Sequence, residues 1–157
     1  MEVVFIPKPG RDSYAQAKSY RPISLSSFLL KLLERLIERH IRDETLSKQP
    51  LSRYQYAYQP GKSCEMAIHE VTRKVEATLR DKEIALGAFI DIEGAFDNTL
   101  ISSIHQAMES REVHPTVRRW VSTMLKHRQV YTTLNDHTVG AIATRGCPQG
   151  GVLSPLL

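Results

Sequence analysis

The sequence is poor in cysteine and has no long hydrophobic run. Cys64 and Cys147 are the only two cysteines among 157 residues, and neither belongs to a CxxC pair. This excludes a disulfide-rich scaffold and a thiolate metal centre of the zinc-finger type. No apolar run approaches the roughly 18 residues that a transmembrane helix requires, and the first ten residues lack the long apolar stretch of a secretory signal. We therefore expect two reduced thiols in an intracellular protein of the nucleus and cytoplasm that makes no contact with a membrane.

The composition is that of a globular domain with a mild basic bias. Hydrophobic residues make up 41% of the chain, which is enough for a core, and charged residues 24%. The formal net charge is +4. This charge permits contact with a polyanion but does not require one.

The hydrophobic periodicity and the positions of glycine and proline predict an α+β mixture in which strands and helices are interspersed. A short strand covers residues 3–6, and a strong helix follows a cap at Ser26 or Ser27. We expect the apolar stripe of this helix to pack in the core and its polar face to be wet. The stripe comprises Leu29, Leu32, Leu33, Leu36, Ile37 and Ile41, and the polar face Lys31, Glu34, Arg35 and Glu38.

Further along the chain the same signals predict three more helices and a hairpin. A helix begins at Ser63, and its apolar side comprises Ala67, Ile68, Val71, Val75 and Leu79. Helices are expected over about 98–109, with Asp97 as N-cap, and over about 116–127, with Val117, Trp120, Val121 and Met124 facing inward. A hairpin should turn near Asn135 and Asp136. The final Gly/Pro loop should lead into a helix that has only begun at residue 157, so we expect an incomplete domain.

One short segment, "AFIDIEGAFDN" from Ala88 to Asn98, raises a question of electrostatics. Residues 84–92 resemble a buried strand, on which Phe89, Asp91 and Glu93 would share one face. An ionised Asp91 in a central strand would lose several kcal/mol of solvation unless something compensates for it. A bound divalent cation, a buried arginine or a strand end that reaches solvent would each compensate for this loss of solvation.

Four segments together resemble the reverse transcriptases of non-LTR retrotransposons. "AFIDIEGAFDN" resembles the first catalytic motif of these enzymes, and "RGCPQGGVLSPLL" at the end of the chain resembles the second palm motif. "IPKPGRD" with "SYRPISLSS" resembles the fingers motif, and "YQYAYQPGKSCEMAIHEV" the segment between fingers and palm. The resemblance implies right-hand polymerase fingers with a partial palm, built from a small antiparallel sheet packed on helices. It places the fingers and their connection to the palm at about 1–80, and the first part of the palm at about 81–157.

The resemblance also implies roles for individual residues. Asp91 would be the catalytic carboxylate and, with the backbone carbonyl of Ile92, a ligand of magnesium. The remaining residues would bind the incoming nucleotide. The fingers arginine Arg21, its companion Lys8 and the tight turn at Gly94 and Ala95 would bind the triphosphate. The ring of Phe96 would lie beneath the sugar, and the pair Gln149 and Gly150 would contact the base and the template. Arginine suits the triphosphate because its planar fork bonds phosphate oxygens bidentately. The structural interpretation of Phe96 is plain core packing. Asp97 is assigned to helix capping instead of metal binding.

The implied reaction adds deoxynucleotides to a primer 3′-hydroxyl with two Mg²⁺ ions. Its partners are an RNA template, a DNA primer and dNTPs, and in a larger protein an endonuclease or other retroelement domain. Four cations between fingers and palm are candidates for contact with the nucleic-acid backbone, although a solvated basic face explains them equally well. They are Arg53, Lys62, Arg73 and Lys74.

The aromatic-x-Asp-Asp motif that supplies the other carboxylates in this family has no counterpart here, because the sequence contains no Asp-Asp pair. The third palm motif and the thumb are therefore both missing. We expect weak or absent magnesium binding and no polymerase activity from this chain alone. A non-catalytic nucleic-acid-binding module and an inactive structural remnant remain as alternative hypotheses.

Overall fold

The computed structural model describes residues 1–134 and 136–157. It divides the chain into two compact units, one formed by residues 1–49 with 94–157 and the other by residues 50–93. Helices and strands are interspersed in the first unit, which confirms the predicted α+β class.

A four-stranded sheet with the order β2-β1-β3-β4 organises the first unit. Its strands are β1 (Glu2–Pro7), β2 (Tyr20–Leu25), β3 (Gln129–Leu134) and β4 (His137–Ile142). The pairs β1/β2 and β3/β4 are antiparallel, whereas β1 and β3 run parallel and meet at Glu2 and Tyr131. The expectation of an antiparallel sheet was therefore wrong in part. The parallel pair is possible because β1 and β3 are not consecutive: β2 and several helices lie between them in the chain.

Helix α1 (Phe28–His40) begins where predicted, since the side chain of Ser27 accepts a hydrogen bond from the amide of Leu30. The prediction of its buried face was wrong. Leu29 is 77% exposed, whereas Glu34, assigned to the wet face, is fully buried. Ile37 and Ile41 do pack in the core. The buried Glu34 carboxylate accepts a hydrogen bond inside the unit, described with the site below.

The core of the first unit includes Ile104 and Met108 of α4 (Ile101–Ser110) and Val121 and Leu125 of α5 (Pro115–Lys126). Val121 is fully buried and Trp120 packs at the edge of the cluster, as predicted. Asp97 does not cap α4. It lies in a separate short helix, α3 (Ala95–Asn98), and the extended backbone of Thr99 and Leu100 separates the two helices.

The hairpin of β3 and β4 confirms the predicted turn. Asp136 lies in it with a φ of 65°, and Asn135 lies outside the described residues. The final helix is not formed: residues 154–156 make a single turn, closed by the bond from Leu156 N to Leu153 O (2.9 Å). One turn of helix fixes several dihedral angles for one hydrogen bond, which is unfavourable without further packing.

In the second unit, helix α2 (Cys64–Arg80) is capped by Ser63, as predicted. None of its side chains is buried. The strand expected over residues 84–92 is not formed, and Phe89 is 94% exposed. A strand needs a neighbour to pair its backbone groups, and no strand elsewhere in the described parts of the chain pairs with this segment.

Among the helices that the structure describes, none combines the length and the apolar character that a membrane crossing demands.

Candidate functional site

The loop that starts the second predicted motif is bonded to the short helix that ends the first. The amide of Cys147 donates to the carbonyl of Phe96 (2.7 Å), and the amide of Gly146 donates to the carbonyl of Thr99 (2.8 Å). Gly146, Cys147 and the following proline are buried. The second motif is therefore bonded to the end of the first motif, of which residues 94–98 lie in the same unit.

Gly146 makes this contact possible and was missed as a site residue. Its φ is +77°, and a Cβ placed there would lie 2.6 Å from the carbonyl oxygens of both Phe96 and Asp97. Only glycine combines this backbone conformation with such a close approach. The one signal in the sequence is its place in a loop with three glycines, "RGCPQGG", which does not distinguish it from the others.

The same loop is bonded to strand β2 a few residues further on. The amide of Ser24 donates to the carbonyl of Gln149 (2.7 Å). A Cβ on Gly150, whose φ is +103°, would lie 3.0 Å from the carbonyl oxygen of Ser24. Arg21 is exposed on the same strand, three positions before Ser24. Since a strand rises about 3.3 Å per residue, the Gln-Gly pair is held about 10 Å along the strand from this arginine.

A third bond attaches the loop to helix α1. The amide of Val152 donates to Glu34 Oε2 (2.7 Å), while Glu34 Oε1 is buried without a hydrogen-bond partner among the described residues. Within the loop, Gly151 N and Ser154 Oγ both donate to Pro148 O, at 2.9 and 2.8 Å. Glu34 was missed because helical periodicity assigns it to the polar face.

Lys8 lies just after β1, beside the start of β2. Its amide donates to Ser19 O (2.8 Å), and its ammonium group donates to Lys18 O (2.9 Å). The ammonium bonds a neutral carbonyl, so its positive charge is not neutralised by that contact. Lys8 and Arg21 therefore lie in the same unit and on neighbouring segments.

Gly94 to Phe96 form the entry to α3. Gly94 has a φ of 63° and its carbonyl accepts from the amides of Asp97 and Asn98. Ala95 is exposed. Phe96 is half-buried and packs against the hydrophobic core. Its ring therefore has the core-packing role that is its structural interpretation from the sequence.

Asp91 and Ile92 belong to the second unit, in the irregular segment where the strand was expected, and both are exposed. In the described ranges of the chain, no three acidic, histidine or cysteine side chains are grouped as a metal site. One carboxylate and one carbonyl fall short of the ligand set that a two-ion centre needs. The residues present do not form such a centre by themselves.

A cavity of about 360 Å³ opens between the sheet and the loop. Its lining includes Pro22 and Ser24 of β2, Arg128, Asp97, Cys147 and Gln149. Burial lowers the pKa of Arg128, an effect opposed by the negative charge of Asp97. Burial also raises the pKa of the Cys147 thiol, although the Arg128 charge opposes the shift. The thiol therefore stays neutral, as expected for a structural cysteine.

The second unit contains a cluster of tyrosines and cations. Arg53 and Lys74 lie over the ring of Tyr54, at 4.6 and 4.4 Å from its centroid, and Lys62 lies 5.1 Å from that of Tyr56. The pKa of Tyr54 is lowered, mainly by a hydrogen bond from Arg53 and further by the charges of Arg53 and Lys74. The structure thus groups with aromatic rings three of the four cations that were candidates for contact with nucleic acid.

The fourth predicted cation, Arg73, forms an ion pair with Glu70 on the same helix (3.0 Å).

Comparison with known proteins identifies the family. The sequence model for reverse transcriptases (RNA-dependent DNA polymerases) matches residues 6–157, so the chain belongs to that family. This confirms the prediction from the four motifs.

Similar curated proteins come from transposable elements. The chain is 31% identical over 99% of its length to "Probable RNA-directed DNA polymerase from transposon BS" of Drosophila melanogaster. It is 34% identical over 88% of its length to the "Retrovirus-related Pol polyprotein from type-1 retrotransposable element R1" of Bradysia coprophila. It is 28% identical over 99% of its length to "RNA-directed DNA polymerase from mobile element jockey" of Drosophila melanogaster. The chain spans 17%, 13% and 17% of these three relatives, respectively.

Proposed function

We propose that this chain supplies the fingers and the first part of the palm of an RNA-directed DNA polymerase of a retrotransposon, and that its first unit binds the incoming deoxynucleotide. The observation that carries the proposal is the bonded loop 146–152. It joins the entry to α3, strand β2 and helix α1 in one unit, and it holds the Gln-Gly pair against β2, the strand that also carries Arg21. In this proposal residues 1–80 contain the fingers and their connection, and residues 81–157 the start of the palm.

Each nucleotide-binding residue has a distinct part in this proposal. Arg21 bonds the triphosphate with its planar fork, and the positive charge of Lys8 assists it. The tight turn at Gly94 and Ala95 lies against the triphosphate. The Phe96 ring excludes a 2′-hydroxyl, since its contact with the core limits its movement.

Gln149 and Gly150 complete the proposed site by contacting the base and the template. The backbone of Gln149 is bonded to Ser24, which keeps the pair close to β2. Gly150 permits a close backbone approach because it has no Cβ.

The metal part of the proposal concerns Asp91 and Ile92. In a complete polymerase domain two Mg²⁺ ions would activate the primer hydroxyl and stabilise the leaving oxygen. This chain would contribute one carboxylate, Asp91, and one carbonyl, Ile92. Since the described residues do not form a two-ion centre, we propose that the 157-residue chain does not extend a primer.

The proposed partners are an RNA template, a DNA primer and dNTPs, with further retroelement domains in a larger protein. Two of the relatives are named as RNA-directed DNA polymerases. The net charge of +4 favours a polyanionic partner.

A primer-extension assay with an RNA template, a DNA primer, dNTPs and Mg²⁺ tests the catalytic part. We expect no extended product. Robust synthesis that disappears in Asp91→Ala would contradict the proposed inactivity of the chain and show that its own carboxylate suffices.

Nucleotide binding is measured separately by titrating the chain with dATP. Arg21→Ala should weaken binding by roughly tenfold or more, because a charge-assisted hydrogen bond is lost. Arg11→Ala is a matched control, since Arg11 is also an exposed arginine of the first unit. Equal affinities of the two variants would refute the role of Arg21.

A nucleic-acid-binding module without catalysis is the second candidate function, and the Tyr54 cluster with its cations is the observation that favours it. Binding of a primer-template should then fall steeply between 50 and 200 mM salt, because phosphate contacts release counterions. Binding of a primer-template without any binding of dATP would favour this candidate over the first. Binding that salt does not change would argue against it.

A further inference from the structure

The buried carboxylate of Glu34 has no role in the proposed binding of nucleotide, yet its environment is unusual for a glutamate. It is fully buried, although a carboxylate loses several kcal/mol of solvation in an apolar interior. One oxygen, Oε2, accepts a hydrogen bond, whereas Oε1 has no partner in the parts of the chain that the structure describes. An apolar residue would fill this helix position at lower cost.

The donor to Oε2 explains why a carboxylate is useful there. It is the backbone amide of Val152, at 2.7 Å and 118 positions away in the chain. Val152 is half-buried and lies in an irregular loop, outside the strands and helices of the described residues. A buried amide without an acceptor is costly, and a charged acceptor makes a shorter and stronger bond than a neutral one.

The bond closes the loop at its far end. At the near end the loop is attached to α3 through Cys147, and in the middle to β2 through the carbonyl of Gln149. Gln149 and Gly150 therefore lie between the attachment to β2 and the attachment to Glu34. Beyond the pair, the fully buried Leu153 also anchors the chain in the core, but the bond to Glu34 is the one that fixes the backbone directly after Gly150 and Gly151.

We propose that Glu34 is a positioning residue that holds the Gln149–Gly150 turn in the conformation that receives the nucleotide. This inference rests on the proposed function for its consequence, but the bond itself is independent of that function. Glu34 does not contact the nucleotide. It acts through the amide of Val152.

Amide hydrogen exchange of the ¹⁵N-labelled chain tests the bond directly. In Glu34→Ala the Val152 amide should exchange roughly tenfold faster or more, since the loss of a bond to a charged acceptor leaves it unpaired. Glu34→Gln retains an oxygen acceptor without the charge, so its exchange rate should lie between those of wild type and Glu34→Ala. The Val152 proton resonance should move upfield in the same order.

Glu38→Gln provides the matched control. Glu38 is one turn further along α1 and pairs with Arg42 (3.0 Å) instead of with the loop. This variant should leave the exchange and the resonance of Val152 unchanged. Should Glu34→Ala fail to fold, the comparison of Glu34→Gln with Glu38→Gln still tests the bond.

A dATP titration of the same samples tests the consequence. The resonances of Gln149 and Gly150 should shift in wild type, and the dissociation constant should increase several-fold in Glu34→Ala, partly recover in Glu34→Gln and stay constant in Glu38→Gln. An unchanged dissociation constant in Glu34→Ala would overturn the positioning role. If Val152 exchanged equally fast in wild type and Glu34→Ala, the bond itself would be disproved. No response of wild type to dATP would overturn the proposed function and the positioning role with it, and the exchange data would still decide whether the bond exists.

Discussion

Replacement of Gly146 by alanine should damage the site more than any other single-methyl change in the loop. The added Cβ would lie 2.6 Å from two carbonyl oxygens, those of Phe96 and Asp97, and 2.9 Å from the carbonyl carbon of Asp97. Ordinary contacts of carbon atoms are at about 3.5 Å or more. The backbone of either the loop or α3 must therefore move, and the bond from Cys147 N to Phe96 O opposes that movement.

The expected loss of stability in Gly146→Ala has two parts. A positive φ costs a residue with a Cβ roughly 1–2 kcal/mol, and overpacking of a close contact costs roughly 1–3 kcal/mol more. We expect a loss of about 2–5 kcal/mol in the free energy of unfolding. Gly10→Ala isolates the first part, because Gly10 has a similar φ of +71° and nothing among the described residues lies within 4 Å of its would-be Cβ.

Urea unfolding, followed by the fluorescence of the single tryptophan, measures both variants. Trp120 packs against the core of the same unit and reports its unfolding. The free energy of unfolding of Gly146→Ala should decrease by about 1–3 kcal/mol more than that of Gly10→Ala. Its slope against the urea concentration should be similar in the two variants. Equal losses would refute the argument, because they would mean that the close approach to Phe96 and Asp97 costs nothing.

Two further predictions concern side-chain ionisation. Iodoacetamide should modify Cys64, which is exposed, much faster than Cys147, which is buried and whose pKa is raised by burial; equal rates in the folded protein would contradict the burial of Cys147. The titration of Tyr54 is the part of the tyrosine absorbance change with pH that is lost in Tyr54→Phe. The midpoint of this part should lie below 10.0, the ordinary pKa of tyrosine, and Arg53→Ala should raise that midpoint. Because the folded pKa is lowered, this contact stabilises the fold fully above the ordinary pKa and loses its contribution as the pH falls through the lowered one; a midpoint at or above 10.0 would show that Arg53 and Lys74 do not act on the ring.

Local signals in the sequence predicted several elements correctly. Ser27 and Ser63 cap helices α1 and α2 as expected, since a serine side chain satisfies an amide only three residues away. The hairpin of β3 and β4 was also predicted, because the alternation and the turn lie within a few residues. Such interactions depend on neighbours in the chain and can be inferred without the fold.

Predictions that depended on distant partners succeeded less often. The pattern of residues 84–92 is typical of a strand, but strand formation requires a paired neighbour, and the described residues provide none. Helical periodicity predicted helix α1 correctly but misassigned most of its buried face, since Ile37 and Ile41 pack in the core whereas the leucines of the stripe are exposed. That face is chosen by what packs against the helix, here a loop 118 residues away that donates to Glu34.

The amino-acid sequence by itself determined the family, the mixed α and β character and the candidate residues of the site, because these depend on motif letters and on short-range periodicity. The tertiary structure alone decided that Gly146 must lack a side chain, that Glu34 is buried and that the Gln149–Gly150 turn is attached to both β2 and α1. The physical reason is that close approach and hydrogen-bond pairing are properties of two segments brought together, and neither segment contains that information on its own.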